Sequence, residues 1–166
     1  MPYSFNRTLL YSGPVEGVLL SGVEGADMFT QNQTIGGVTI IFDTLFTDIQ
    51  TDQVPGLTDK KKVGHKITIS FKVPLLSNDL LRFALAQPPS NISGNYLYIN
   101  NDPPYHYSVT VELPLSSGRV KNLVFEKCVL LGATEIKISP GEQTAWEIKF
   151  EAVWAGTRYG YSLKET

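Results

Sequence analysis

The stretch VGHKITISFKVPLLSNDLLRFALAQ, residues 63–87, decides how this chain folds. From Lys66 to Val73 the residue types alternate without a break. Ile67, Ile69, Phe71 and Val73 point one way; Lys66, Thr68, Ser70 and Lys72 point the other. Successive side chains of a strand face opposite sides, so the spacing predicts a half-buried strand with one wet face. Pro74 ends the pattern, Ser77 is placed to cap a helix, and Asp79 complements the helix dipole. Leu80, Leu81, Ala84 and Leu85 then form an apolar stripe at helical spacing, and Pro88-Pro89 stops it. A short helix over about 77–86 is expected, and no other stretch reads as helix.

Working outward, the rest of the chain reads as strand. Glu16–Leu20 suggests a first short strand, and Gly36-Gly37 opens a long one from Val38 to about Gln50. Both faces of that long strand are substantially apolar, so it is central in the core or covered by another subunit. Tyr105–Leu113 alternates cleanly. Val120–Leu131, Glu135–Ile138 and Trp146–Trp154 read as further strands, with Pro140-Gly141 as a hairpin turn. The fold class is therefore mainly β: an antiparallel β-sandwich or barrel flanked by one short α-helix. One domain, 1–166, is expected, with a core of about 15–154. A polar loop at 51–62, turning at Pro55-Gly56, joins two strong strands, an irregular insertion fills 88–104, and the tail 155–166 has little core pattern.

The 166 residues suffice for one sizeable core, and only 18% are charged, as suits either a Thr/Ser/Asn-rich β domain or a subunit with a large interface. A net charge of −2 argues against a protein that binds by neutralising phosphates. The one basic run, Lys60-Lys61-Lys62, follows Asp59 and reads as solvated. The single cysteine, Cys128, lies in an apolar run and reads as a buried, inert thiol. The start shows no secretory pattern and no apolar run is long enough to span a bilayer, so a cytosol-like compartment and no membrane partner are expected.

Chemistry-bearing constellations are weak. His65 and His106 are not at metal-ligand spacing from another His or Cys, and neither a nucleophile elbow nor a phosphate loop accompanies them. The pairs Asp43 with Asp48 and Glu147 with Glu151 read as solvated strand faces. No enzymatic activity, cofactor or metal is expected. Tyr96, Tyr98, Tyr105 and Tyr107 surround a Gly/Asn/Pro-rich loop, which leaves a second reading open: a monomeric β-sandwich that stacks sugars on the Tyr96–Tyr107 loop.

The order of these features carries a resemblance. A Gly-started long strand, an extended loop, the strand Lys66–Val73 and a Ser-capped helix bearing Asp79-Leu80-Leu81-Arg82-Phe83-Ala84-Leu85 come in succession. A late strand with Asn122-Leu123-Val124-Phe125-Glu126-Lys127-Cys128 precedes the closing strand Trp146–Trp154. This resembles the tail tube proteins of tailed bacteriophages and the related tubes of contractile injection systems, over roughly Val15–Trp154. The insertion at 88–104 departs from the pattern. The resemblance implies a virion subunit, assembled in the host cytoplasm, that forms hexameric rings. The rings stack with one another and with other tail proteins into a hollow tube, and DNA is non-specific cargo. A tail terminator or baseplate subunit of the same fold fits as well. Under this reading Asp52, Gln53, Val54, Pro55, Leu57, Asp59, Lys60 and Lys61 form an inter-ring contact. Glu147 and Glu151 are candidates for an acidic lumen, with Lys66 and Lys72 paired or facing outward.

Overall fold

The alternating stretch at 66–73 is the inner half of a much longer strand. In the computed structural model, which describes residues 3–22, 25–30, 34–51, 53–74, 78–101, 105–114, 120–132, 145–153 and 161–165, it belongs to β5, Val54–Pro74. β5 pairs with β4, Ile35–Thr51, and with β10, Ala145–Ala152. The other strands are β1 (Tyr3–Gly13), β2 (Gly17–Gly22), β3 (Gly25–Thr30), β6 (Ile92–Ser93), β7 (Tyr96–Leu97), β8 (His106–Pro114), β9 (Val120–Gly132) and β11 (Tyr161–Glu165). Among the described residues the one α-helix is α1, Asn78–Ala84.

Every pairing is antiparallel, and the main sheet runs β1-β4-β5-β10-β9-β8-β2-β3, with β11 added to β9. The sheet folds over itself into a sandwich. Phe29 of β3 and Phe71 of β5 are far apart in strand order, yet their rings lie 5.4 Å apart. Ile67, Ile69, Phe71 and Val73 are buried, as their alternation requires, together with Tyr107, Val109, Val111 and Leu113 from β8 and Trp146, Ile148 and Phe150 from β10. Each such large apolar side chain contributes about 1.5–3 kcal/mol of burial.

The helix packs differently from its leucine stripe. Leu80 is buried, but Leu81 and Leu85 are only half-buried, and among the described side chains Arg82 and Phe83 lie deepest. Phe83 meets Phe29 edge-on at 5.1 Å and Tyr107 at 6.0 Å. Seven residues make barely two turns, so an aromatic ring reaches the core where a stripe would need more length. The helix ends before the prolines: Gln87 N–H donates to Arg82 O at 2.8 Å and Ala86 N–H to Phe83 O at 3.2 Å, with Ala86 left-handed at φ 55°. That paired bonding is a Schellman cap.

Three sequence expectations change. The first strand is β1, residues 3–13, ahead of the short strand expected at 16–20. The loop expected at 51–62 is strand from Val54 onward: Phe46 pairs with Lys62, Asp48 with Lys60 and Thr51 with Val54. The pair Thr51–Val54 closes the reversal, with Gln53 in the turn, and Pro55–Thr58 form an irregularity within β5 instead of the turn itself. Residues 59–63 are exposed on both faces, so main-chain pairing holds a strand that carries no apolar alternation. The tail also contributes a strand, with Leu163 of β11 opposite Leu123. Ser77, Glu135–Ile138, Pro140-Gly141 and Trp154 lie outside the described residues.

Candidate functional site

The best candidate site is a surface formed by β1, the outer part of the β4–β5 hairpin and β10. Beyond Leu45 and Gly64 the two long strands leave the core, and Ile49, Gln50 and Lys60–Val63 are exposed. From Phe46 to the reversal the arm extends roughly 20 Å at ~3.3 Å per residue. Its root is bent by a bulge, because Leu45 pairs with Gly64 but Phe46 pairs with Lys62, leaving Val63 extra. Bulges of this kind increase twist and re-aim a strand. At the other end of β4, Gly36 and Gly37 interrupt the ladder, and a Cβ on Gly37 would run into the Gly13 carbonyl of β1.

β1 is a terminal strand of the sheet. It pairs with β4 on one side, and among the described residues nothing pairs with its other side. Residues 5–10 are exposed, with Phe5 at 73%, Leu9 at 59% and Leu10 at 50%. Leu10 is the extra residue of a second bulge, between the pairs Leu9–Ile41 and Tyr11–Ile40. The one charge of this strand is neutralised inside the chain. Arg7 Nε donates to Asp43 Oδ1 at 2.7 Å and Nη2 to Oδ2 at 3.1 Å, a bidentate pair between directly opposed residues. The hydrogen bond holds the Asp43 carboxyl below its ordinary value and raises the guanidinium. Asp43 is therefore no solvated catalytic carboxylate. Phe5, Arg7, Asp43, Leu45, Gly64 and Lys66 line a shallow groove on this face.

Register places all the lumen candidates on one face. Lys72 is opposite Glu147, Ser70 opposite Lys149 and Thr68 opposite Glu151. Residues opposed across an antiparallel ladder share a face. The lysine row and the glutamate row thus form one mixed surface, where sequence reading left their sides open. Lys66 Nζ lies 3.7 Å from Glu151 Oε2. Three lysines accompany the two glutamates on β5 and β10, so the face is not acidic.

The proposed inter-ring residues gather along the arm. Val54, Pro55, Leu57, Asp59, Lys60 and Lys61 belong to β5 and Gln53 to the reversal, while Asp52 lies outside the described residues. Lys60 Nζ pairs with Asp48 Oδ1 at 3.3 Å across the hairpin. The basic run is therefore partly tied down.

The four tyrosines do not form one cluster. Tyr107 is buried and Tyr105 half-buried, packed edge-on at 4.6 Å, whereas Tyr96 on β7 and Tyr98 just after it stand exposed. His65 stacks on Phe42 at 5.5 Å, and desolvation, aided by Lys62, lowers its pKa. Among the described residues no group of three or more His, Cys, Asp or Glu side chains could hold a metal ion, and no helix is long and apolar enough to cross a membrane. Asp102, a conceivable partner of His106, is outside the described residues. Sequence reading missed β1 altogether. Its only signal is the β-prone run Phe5, Thr8 to Tyr11, in which apolar residues do not alternate cleanly.

No family model matches the chain, and no curated protein matches it. A chain from the virion of a native gene transfer agent (GTA) particle is similar in structure, with a TM-score of 0.48 and 9% identity, over 89% of this chain and 95% of that one.

Proposed function

We propose that this chain is a self-assembling structural subunit of a phage tail. It forms hexameric rings that stack into a hollow tube through which DNA passes. The open apolar edge of β1 carries the self-assembly reading. Phe5, Leu9 and Leu10 are exposed along eleven residues of strand that bear no proline and no unpaired charge. Free edges of this kind are normally blunted by charge, proline or a covering element, because they template pairing with another chain. A strand from a neighbouring copy would satisfy the main-chain groups and cover the apolar side chains. Repeating that contact head to tail closes a ring. The hexamer, the stacking and the DNA cargo come from the sequence resemblance to tail tube proteins.

In this assembly the arm reaches the next ring. Gln53, Val54, Pro55, Leu57, Asp59, Lys60 and Lys61, with Asp52, form the stacking contact. Glu147 and Glu151 face the lumen alongside Lys66, Lys72 and Lys149. The wall then carries mixed charge, three lysines against two glutamates with Lys66 paired to Glu151, in place of the expected acidic channel. Carboxylates interspersed among the lysines offset most of their charge, so few counterions are released to phosphate and DNA slides without being held.

Negative-stain imaging of the purified chain tests the reading. Open-ended tubes support it. A monodisperse monomer at high concentration overturns it, and closed single rings that never stack point to a terminator instead.

A further inference from the structure

Residues 83–101 contain no charged side chain, and from Ser90 onward Asn, Ser and Tyr predominate. Recognition loops use this makeup, with tyrosine for rigid contact area and small polar residues for adaptable hydrogen bonding. The segment is also built to hold its shape. Gln87 is buried at its root and bonds in three directions: its Nε2 donates to Leu85 O at 3.1 Å, while its Oε1 accepts from Asn91 Nδ2 at 2.8 Å and from Asn100 N–H at 3.2 Å. Tyr98 N–H donates to Asn91 O at 2.8 Å. The β6–β7 hairpin turns on Gly94 at φ 60°, the first central position that a type II′ turn reserves for glycine.

This scaffold holds two rings out into solvent. Tyr96 is 69% and Tyr98 58% exposed, with ring centroids 6.3 Å apart and planes 30° from parallel. Ser93 is directly opposite Tyr96 and equally outside the core. We propose that Tyr96 and Tyr98 form a binding platform for a neutral glycan. Two neighbouring sugar rings present their C–H faces to the two aromatic rings, and the Ser93 side chain meets the hydroxyls. The charge pattern selects the ligand. With no Lys, Arg, Asp or Glu in the segment, nothing there pairs with a phosphate, a carboxylate or an amine. A hydroxyl-rich, uncharged ring offers what tyrosine faces and a serine hydroxyl can bind. Ordering by Gln87 before binding lowers the entropic cost of association. The platform is separate from the β1 edge, so this inference stands or falls independently of the assembly reading.

Titration of the full chain with cellohexaose, mannohexaose and chitohexaose, followed by calorimetry and tyrosine fluorescence, tests it. At least one of these should bind at millimolar concentration or below, and Tyr96→Ala and Tyr98→Ala should each weaken that binding by about tenfold or more, equivalent to about 1.4 kcal/mol. Both side chains are exposed, so the thermal midpoint should not move. A charged oligogalacturonate should not bind. Failure of all three neutral hexasaccharides to bind overturns the proposal, as does binding that survives both substitutions. Loss of self-association in these variants, without glycan binding by the parent chain, would make the platform a protein contact and also overturn it.

Discussion

Arg82 donates from Nη1 to the Tyr107 hydroxyl at 3.0 Å, fully inside the protein, and so ties α1 to β8. The same guanidinium lies 4.0 Å from the Phe83 ring centroid, and that ring packs on Phe29 and Tyr107. A charged group at the base of a short helix thus shares its contacts with the aromatic core. Tyr107→Phe removes one acceptor from a buried cation and should cost about 1–3 kcal/mol. Phe83→Ala should cost more, about 3–5 kcal/mol, because it opens a cavity between the Phe29 and Tyr107 rings. Leu85→Ala, at a half-buried position, should cost clearly less than Phe83→Ala. Urea unfolding of the three variants decides the order. A Leu85 variant as damaged as the Phe83 variant would contradict this packing.

Ala86 occupies the left-handed position of the helix cap at φ 55°. A Cβ there is unfavourable by about 1–2 kcal/mol, less the extra chain entropy that glycine loses. Ala86→Gly should therefore stabilise the protein by about 0.5–1 kcal/mol, seen as a higher urea midpoint with an unchanged slope. A lower midpoint would mean that Ala86 contributes packing that outweighs its backbone strain.

The Arg7–Asp43 pair should appear in the acid limb of stability. The hydrogen bond from Arg7 is the main cause holding Asp43 below its ordinary 3.8, against a smaller opposing push from desolvation. A carboxylate with a lowered folded pKa stabilises above its unfolded value and loses that contribution as pH falls through the folded one. The stability difference between the parent chain and Asp43→Asn should be full near neutral pH, shrink below pH 3.8 and vanish once the folded carboxyl protonates. A difference that persists unchanged into strong acid would show that the pair does not act through this charge.

Cys128, on β9 opposite Tyr107 of β8, is fully buried, and desolvation pushes its thiol up to about 12. Only the thiolate is nucleophilic, so the folded protein should resist alkylation. Reaction with a maleimide should be slow in native buffer and accelerate through the urea transition in step with unfolding. Fast native-state labelling would mean that β8 and β9 open locally.

Local sequence determined the elements that bury one face and wet the other. Lys66–Val73, Tyr107–Leu113 and Trp146–Phe150 each alternate, and each has its apolar row in the core. The helix, the inert cysteine and the sandwich class follow from the same kind of signal. Tertiary structure decided the rest. Residues 59–62 of the arm are exposed on both faces, so their pairing with β4 leaves no mark in residue type. β1 puts its apolar residues on a free edge, and β11 is defined only by its partner, β9. Gln87 looks like an ordinary polar residue after a helix until Asn91 and Asn100 close on it. The lysine and glutamate rows share a face only because β5 and β10 pair in one register. Burial imprints a period on a sequence, whereas a register between distant strands is a property of the pair and is written in neither strand alone.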